Sequence, residues 1–88
     1  MKLENLFKNI QTLSTQGNLD REVIAITQDS RKVSKGGLYI AIKGHDFDGH
    51  DFISSAIQKG AIAIVCNTLP LELETGIVYL QVKDKKKV

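Results

Sequence analysis

The chain has one cysteine, so an intramolecular disulfide and a CxxC zinc or redox pair are both excluded. Cys66 closes the apolar run 61-AIAIVC-66, where it reads as a small buried hydrophobe at a strand end. No base lies near it in sequence to make it a nucleophile. Sparing use of cysteine suits a reducing, cytoplasmic setting. Long apolar runs are missing too: MKLENLFKNI breaks its hydrophobic positions with acidic and polar residues, so it is neither a signal peptide nor a membrane span. The phosphate cradles GxxxxGK[ST] and GxGxxG are absent, as is the GxSxG nucleophile elbow. Internal repeats and low-complexity segments are also lacking.

Charge of one sign does not dominate the body of the chain. The net charge is +2, but outside 83-KDKKK-87 there are 8 basic and 9 acidic residues. A basic run at a chain end without interleaved aromatics is a solvated segment rather than a base-stacking surface, so no nucleic-acid partner is expected. What the chain does have is ordinary globular composition, 42% hydrophobic and 25% charged, in 88 residues, which implies one folded domain. A domain of this size buries only about two-thirds of its unfolded surface, which argues against a deep enclosed active site.

In 2-KLENLFKNIQTL-13 the apolar positions Leu3, Leu6, Phe7, Ile10 and Leu13 predict an amphipathic helix. The segment 14-STQGNLD-20 reads as a turn, with Gly17 and Asn18 as stop residues. Strands are expected at 22–26, 38–42, 61–66 and 77–82. Between the second and third, 50-HDFISSAIQKG-60 reads as a helix with Phe52, Ile53, Ala56 and Ile57 on its buried face, capped by Asp48 or Asp51 and ended at Lys59 and Gly60. The order contains one βαβ unit. It implies a small α/β domain with a mostly parallel or mixed sheet of four to five strands flanked by helices.

The densest chemistry lies in 27-TQDSR-31 and 43-KGHDFDGHDF-52. His45, Asp46, Asp48, His50 and Asp51 have metal-ligand types, but a five-residue histidine spacing around Gly49 matches neither a helical zinc pair nor a calcium loop. Ser30 beside Asp29 is not a triad. It reads as a polar strand exit in which Asp29 or Ser30 bonds nearby amides. The loop 44-GHDFDG-49 follows a strand and opens a helix, the place where α/β sheets hold ligands. Free amides near residue 50, with Ser30, Arg31 and His45, would suit an anionic or nucleotide ligand.

The string 29-DSRKVSKGGLYIAIKGHDFDGHDFISSAIQKGAIAIVCNTLP-70 resembles the N-terminal domain of the Mur ligases, the amide ligases of peptidoglycan synthesis. DSR, a glycine turn, LYIAIKG, DGHDFI, AI.KGA and an apolar strand occur in the family's order. The resemblance covers about half the chain closely and most of it loosely. It implies that residues 1–82 hold the UDP part of a substrate, UDP-N-acetylmuramoyl-dipeptide. Residues 83–88 would begin a linker to a central domain that binds ATP and magnesium, followed by a C-terminal domain for the incoming amino acid. The fragment would then need no cofactor of its own and would catalyse nothing alone. Carried over position by position, the uridine contacts fall at Gln28 and Ser30, and at His45, Asp46 and Phe47. His45 directly after Gly44 favours the member that adds the third residue of the stem peptide over the member that acts next. The family commonly has Gly-Asp where this chain has Gly36-Gly37, which removes a carboxylate from that turn. A stand-alone interaction module, docking a protein through its sheet edge or basic tail, is the competing class; a reading frame running on into a GTNGKT-like loop would separate the two.

Overall fold

In a computed structural model of the chain, the described residues are 2–8, 12–41 and 48–83. Three runs form the centre of the sheet: β3 (Leu38–Ile40), β4 (Ala63–Cys66) and β5 (Val78–Val82). All three pair in parallel, and their register sets Leu38, Ala63 and Val78 abreast, then Tyr39, Ile64 and Tyr79, then Ile40, Val65 and Leu80. Side chains alternate across a strand, so these rows face alternately up and down. The row of Tyr39, Ile64 and Tyr79 joins Ile53, Ala56 and Ala61 in one cluster, while Leu38, Ala63, Val78, Val65 and Leu80 join Leu3 and Val23 in the other. Both faces are therefore covered, which is why the strands read as nearly continuous apolar runs.

The edges complete a five-stranded mixed sheet of order β1-β5-β4-β3-β2. The short β2 (Ile26–Thr27) lies parallel to β3, and β1 (Thr12–Gln16) lies antiparallel to β5. The expected strand at 22–26 thus shrinks to a two-residue ladder. Upstream of it Val23 is buried, and Ile24 donates to the Gly36 carbonyl at 3.1 Å.

The N-terminal helix is much shorter than its periodicity predicts. α1 covers only Leu3–Leu6, and Leu13 lies in β1, 61% exposed, while Ile10 falls outside the described residues. The hydrophobic spacing competes here with β5, whose outer backbone groups need a partner. Thr12, Ser14, Thr15 and Gln16 supply it, and two of them are β-branched. A four-residue helix has no stability of its own. α1 persists because Leu3 is fully buried, worth about 1.5–3 kcal/mol, and because the amides of Leu3 and Glu4 donate to the carbonyls of Arg21 and Leu19, at 3.0 Å each.

On the opposite face α2 (Ile53–Gln58) follows a 3-10 turn, Gly49–Phe52. The tighter turn rotates Phe52 off the buried stripe, leaving it 38% exposed, whereas Ile53 and Ala56 are buried as expected. The helix ends in a Schellman arrangement: Gly60 donates to Ile57 and Ala61 donates to Ala56, both at 3.0 Å. Gly60 has φ +112°, and a Cβ there would lie 2.6 Å from the Cα of Lys35. Among the described residues, no helix is long and apolar enough to cross a membrane.

Gly60→Ala should destabilise the chain by about 2–3 kcal/mol, a fall in Tm of roughly 10 °C or more. Gly76 also has positive φ, at +88°, but its Cβ would meet nothing within 4 Å. Gly76→Ala should therefore cost only about 1 kcal/mol. Equal losses in thermal melts of the two variants would show that the contact with Lys35 is immaterial.

Candidate functional site

Because β2, β3, β4 and β5 run parallel, their carboxyl ends share one edge of the sheet. The residues leaving that edge are Gln28 after β2, Ala41 after β3, Asn67 after β4 and Lys83 after β5. Open α/β sheets bind ligands along such an edge, where loops present side chains and backbone groups that the ladder does not consume.

At the exit of β2, the TQDSR segment is fixed by its own polar groups. The amide of Asp29 donates to Thr27 Oγ1 at 3.0 Å, and Asp29 caps the 3-10 turn Ser30–Lys32 by accepting from the Arg31 amide at 2.9 Å. The Arg31 guanidinium then grips the same carboxylate as a fork, with Nε and Nη2 each at 3.0 Å. The side-chain hydrogen bond from Arg31 is the main reason the Asp29 carboxyl falls to about 2, helped by the backbone bond. Asp29 and Arg31 thus neutralise each other, which weakens Arg31 as a free anion contact. Between them, Ser30 is half-buried and Gln28 is exposed. Among the described residues, neither the side-chain amide of Gln28 nor the Ser30 hydroxyl is engaged in a hydrogen bond.

At the exit of β3 the expected free amides are already used. Asp48 Oδ1 accepts from the His50 amide and the Asp48 carbonyl from the Asp51 amide, both at 3.0 Å. The same Oδ1 lies 2.6 Å from His50 Nδ1, and His50 Nε2 lies 3.0 Å from the Asn67 amide and 3.3 Å from the Thr68 amide. Asp48 and His50 are therefore structural polar groups, not an anion-binding helix start. His45, Asp46 and Phe47, read from the sequence as ligand contacts, lie outside the described residues, and so does Gly44.

Two residues that the sequence did not single out tie these exits together. The Tyr39 hydroxyl donates to the Gly49 carbonyl at 2.8 Å. Its phenol is pushed up chiefly by burial, with Asp29 and Asp48 each adding to the rise, so both carboxylates lie within electrostatic reach of it. Asn67 donates to the Val82 carbonyl at 3.2 Å and accepts from Gln81 at 2.9 Å, which links the ends of β4 and β5. Polar residues immediately after apolar strands were the available signal for Asn67; nothing local marked Tyr39.

A groove of about 920 Å³ opens beside α2, with Ile53, Ile57, Leu69 and Tyr79 in its lining and Asp48, Asp51, Glu72 and Glu74 among its polar groups. Gln28 and Ser30 do not line it. Asp48, His50, Asn67 and Thr68, from the β3 and β4 exits, line it too, but four carboxylates against Lys83 make it a poor seat for a phosphate-bearing ligand, so the part of the edge at Gln28 and Ser30 remains the better candidate. No group of three or more His, Cys, Asp or Glu placed to hold a metal occurs among the described residues. Burial pushes the Cys66 thiol up to about 11, consistent with a packing role.

A two-sided, five-stranded mixed sheet whose parallel strands end together at one polar edge defines a small α/β domain. A family model described as "Mur ligase family, catalytic domain" matches residues 22–86, although no GxxxxGK[ST] loop lies in that stretch. The chain belongs to the Mur ligase family, as an N-terminal domain. It is 43% identical over 86 residues to the UDP-N-acetylmuramoyl-L-alanyl-D-glutamate--2,6-diaminopimelate ligase of Bacteroides fragilis, covering 98% of this chain and 18% of the relative. The ligases of the same name from Cytophaga hutchinsonii and Alkaliphilus metalliredigens are 45% and 43% identical, over 96% and 100% of this chain. The chain thus spans only 18% of the length of these curated relatives. Among solved structures, MurF from Acinetobacter baumannii superposes with a TM-score of 0.77 at 24% identity, covering 94% of this chain and 18% of that one, a likeness of fold.

The folded-state carboxyl of Asp29 lies below its ordinary value of 3.8, so its stabilising contribution is complete above that value and is lost as pH falls toward 2. Arg31→Ala should return the Asp29 midpoint toward 3.8. Carboxyl-carbon NMR titrations of the two proteins measure this, and an unmoved midpoint would show that the fork does not set it.

Proposed function

We propose that residues 1–82 hold the UDP part of UDP-N-acetylmuramoyl-dipeptide for a longer MurE-type ligase, and that residues 83–88 lead toward its ATP-binding central domain. The reaction proposed for the whole polypeptide is ATP-dependent amide formation that adds diaminopimelate as the third residue of the peptidoglycan stem peptide, in the cytoplasm. The observation that carries this reading is the near-complete alignment with ligases named for that substrate and amino acid. The MurF alternative has support from fold, together with a match to the Thermotoga maritima MurF that covers 60% of the chain.

The chain has no GxxxxGK[ST] loop, and among the described residues no group of acidic side chains is placed to hold a metal, so ATP and magnesium are assigned to the central domain. The chain's own contribution is binding and orientation. Ser30 offers a hydroxyl and Gln28 an amide beside a locked Asp29–Arg31 fork, both suited to uracil carbonyls or phosphate oxygens. His45 and Phe47 have the flat rings needed to cover a base. Asp46 would serve through its backbone amide, because a carboxylate facing a diphosphate repels it.

Groups that hold a remote handle act equally in the ground state and the transition state, so they lower KM without raising kcat. In the full-length ligase, Ser30→Ala and His45→Ala should each raise KM for UDP-N-acetylmuramoyl-dipeptide about three- to tenfold, the worth of one hydrogen bond, with kcat nearly unchanged. A large fall in kcat at constant KM would assign these residues to the chemistry instead.

A further inference from the structure

We infer that His50 is a positioning residue for substrate capture, a neutral imidazole that fastens the ligand-holding edge of the sheet by joining the 3-10 turn to the end of β4, which Asn67 ties in turn to β5. The inference rests on the nucleotide-handle reading above. Neutral imidazole has one donor and one acceptor nitrogen. Nε2 meets two backbone N–H groups, at 3.0 and 3.3 Å, and can meet them only with its lone pair. The proton is therefore on Nδ1, where the Asp48 carboxylate accepts it at 2.6 Å. The ring is mostly covered, with its side chain 17% exposed.

The two ring nitrogens fasten different pieces. Asp48 belongs to the start of the 3-10 turn, the Asn67 and Thr68 amides to the end of β4, and Asn67 continues the link to Val82 and Gln81 of β5. From the other side, the Tyr39 hydroxyl holds Gly49, so the turn is pinned in two directions. In sequence, residues 45–47 run directly into Asp48. The only other histidine, His45, is assigned to the ligand itself, which leaves His50 as the imidazole with a purely internal set of partners. An acceptor at the position of Nε2 is what the arrangement requires, and glutamine can place its Oε1 there whereas alanine leaves two amides without a protein acceptor.

In the full-length ligase, His50→Ala should raise KM for UDP-N-acetylmuramoyl-dipeptide about tenfold with kcat within about twofold, and His50→Gln should bring KM back to within about threefold of wild type. Glutamine no better than alanine overturns the inference. So does an unchanged KM in His50→Ala while Ser30→Ala still raises it, an outcome that leaves the nucleotide-handle reading standing. Unchanged KM in both Ser30→Ala and His45→Ala would instead remove that reading and the inference with it. If His50→Ala does not fold, the pair Asp48→Ala and Asp48→Asn makes the same comparison from the other side of the ring, with the alanine variant raised in KM and the asparagine variant restored. Imidazole nitrogen NMR of the wild-type protein at neutral pH should show His50 unprotonated at Nε2; a proton there overturns the assignment.

Discussion

Parallel pairing of β3, β4 and β5, with Tyr39, Ile64 and Tyr79 abreast, constrains everything else in the molecule. A sheet buried on both faces must satisfy its backbone polar groups within its own ladder, and water cannot substitute. Parallel strands also require a crossover between each pair. α2 lies in the crossover from β3 to β4, and residues 28–37, with the 3-10 turn Ser30–Lys32, form the crossover from β2 to β3. The consequence is a single edge at which strand ends accumulate, and the unsatisfied, chemically useful groups collect there.

That edge is organised by short polar clips. Asp29 holds Arg31, Asp48 holds His50, and Asn67 holds Val82 and Gln81. Of the three, only Asp29–Arg31 is an exposed ion pair, and such pairs contribute little to global stability. Its effect is to fix loop geometry while consuming its own charges, which leaves Gln28 and Ser30 beside a neutralised fork.

The groove beside α2 shows why concavity alone does not locate a site. Its four carboxylates oppose a diphosphate, whereas Gln28 and Ser30, which carry neutral donors, lie outside it.

Much of this was legible in the residues themselves. The apolar runs at 38–42, 61–66 and 77–82 identified the central strands, the cap was narrowed to Asp48 or Asp51, and Gly60 marked the helix stop, because each expresses a local rule of burial or backbone geometry. The family was legible from the ordered combination of DSR, LYIAIKG and DGHDFI. The sequence could not show that Leu13 belongs to a strand, since its helical spacing was genuine and only the open side of β5 outweighed it. Nor could it show that Phe52 turns outward, that Arg31 is spent on Asp29, or that His50 bridges residues 17 and 18 positions away. Local pattern fixes which segments must be buried and where the chain turns; which polar groups meet is decided only when parallel pairing brings distant strand ends to a common edge.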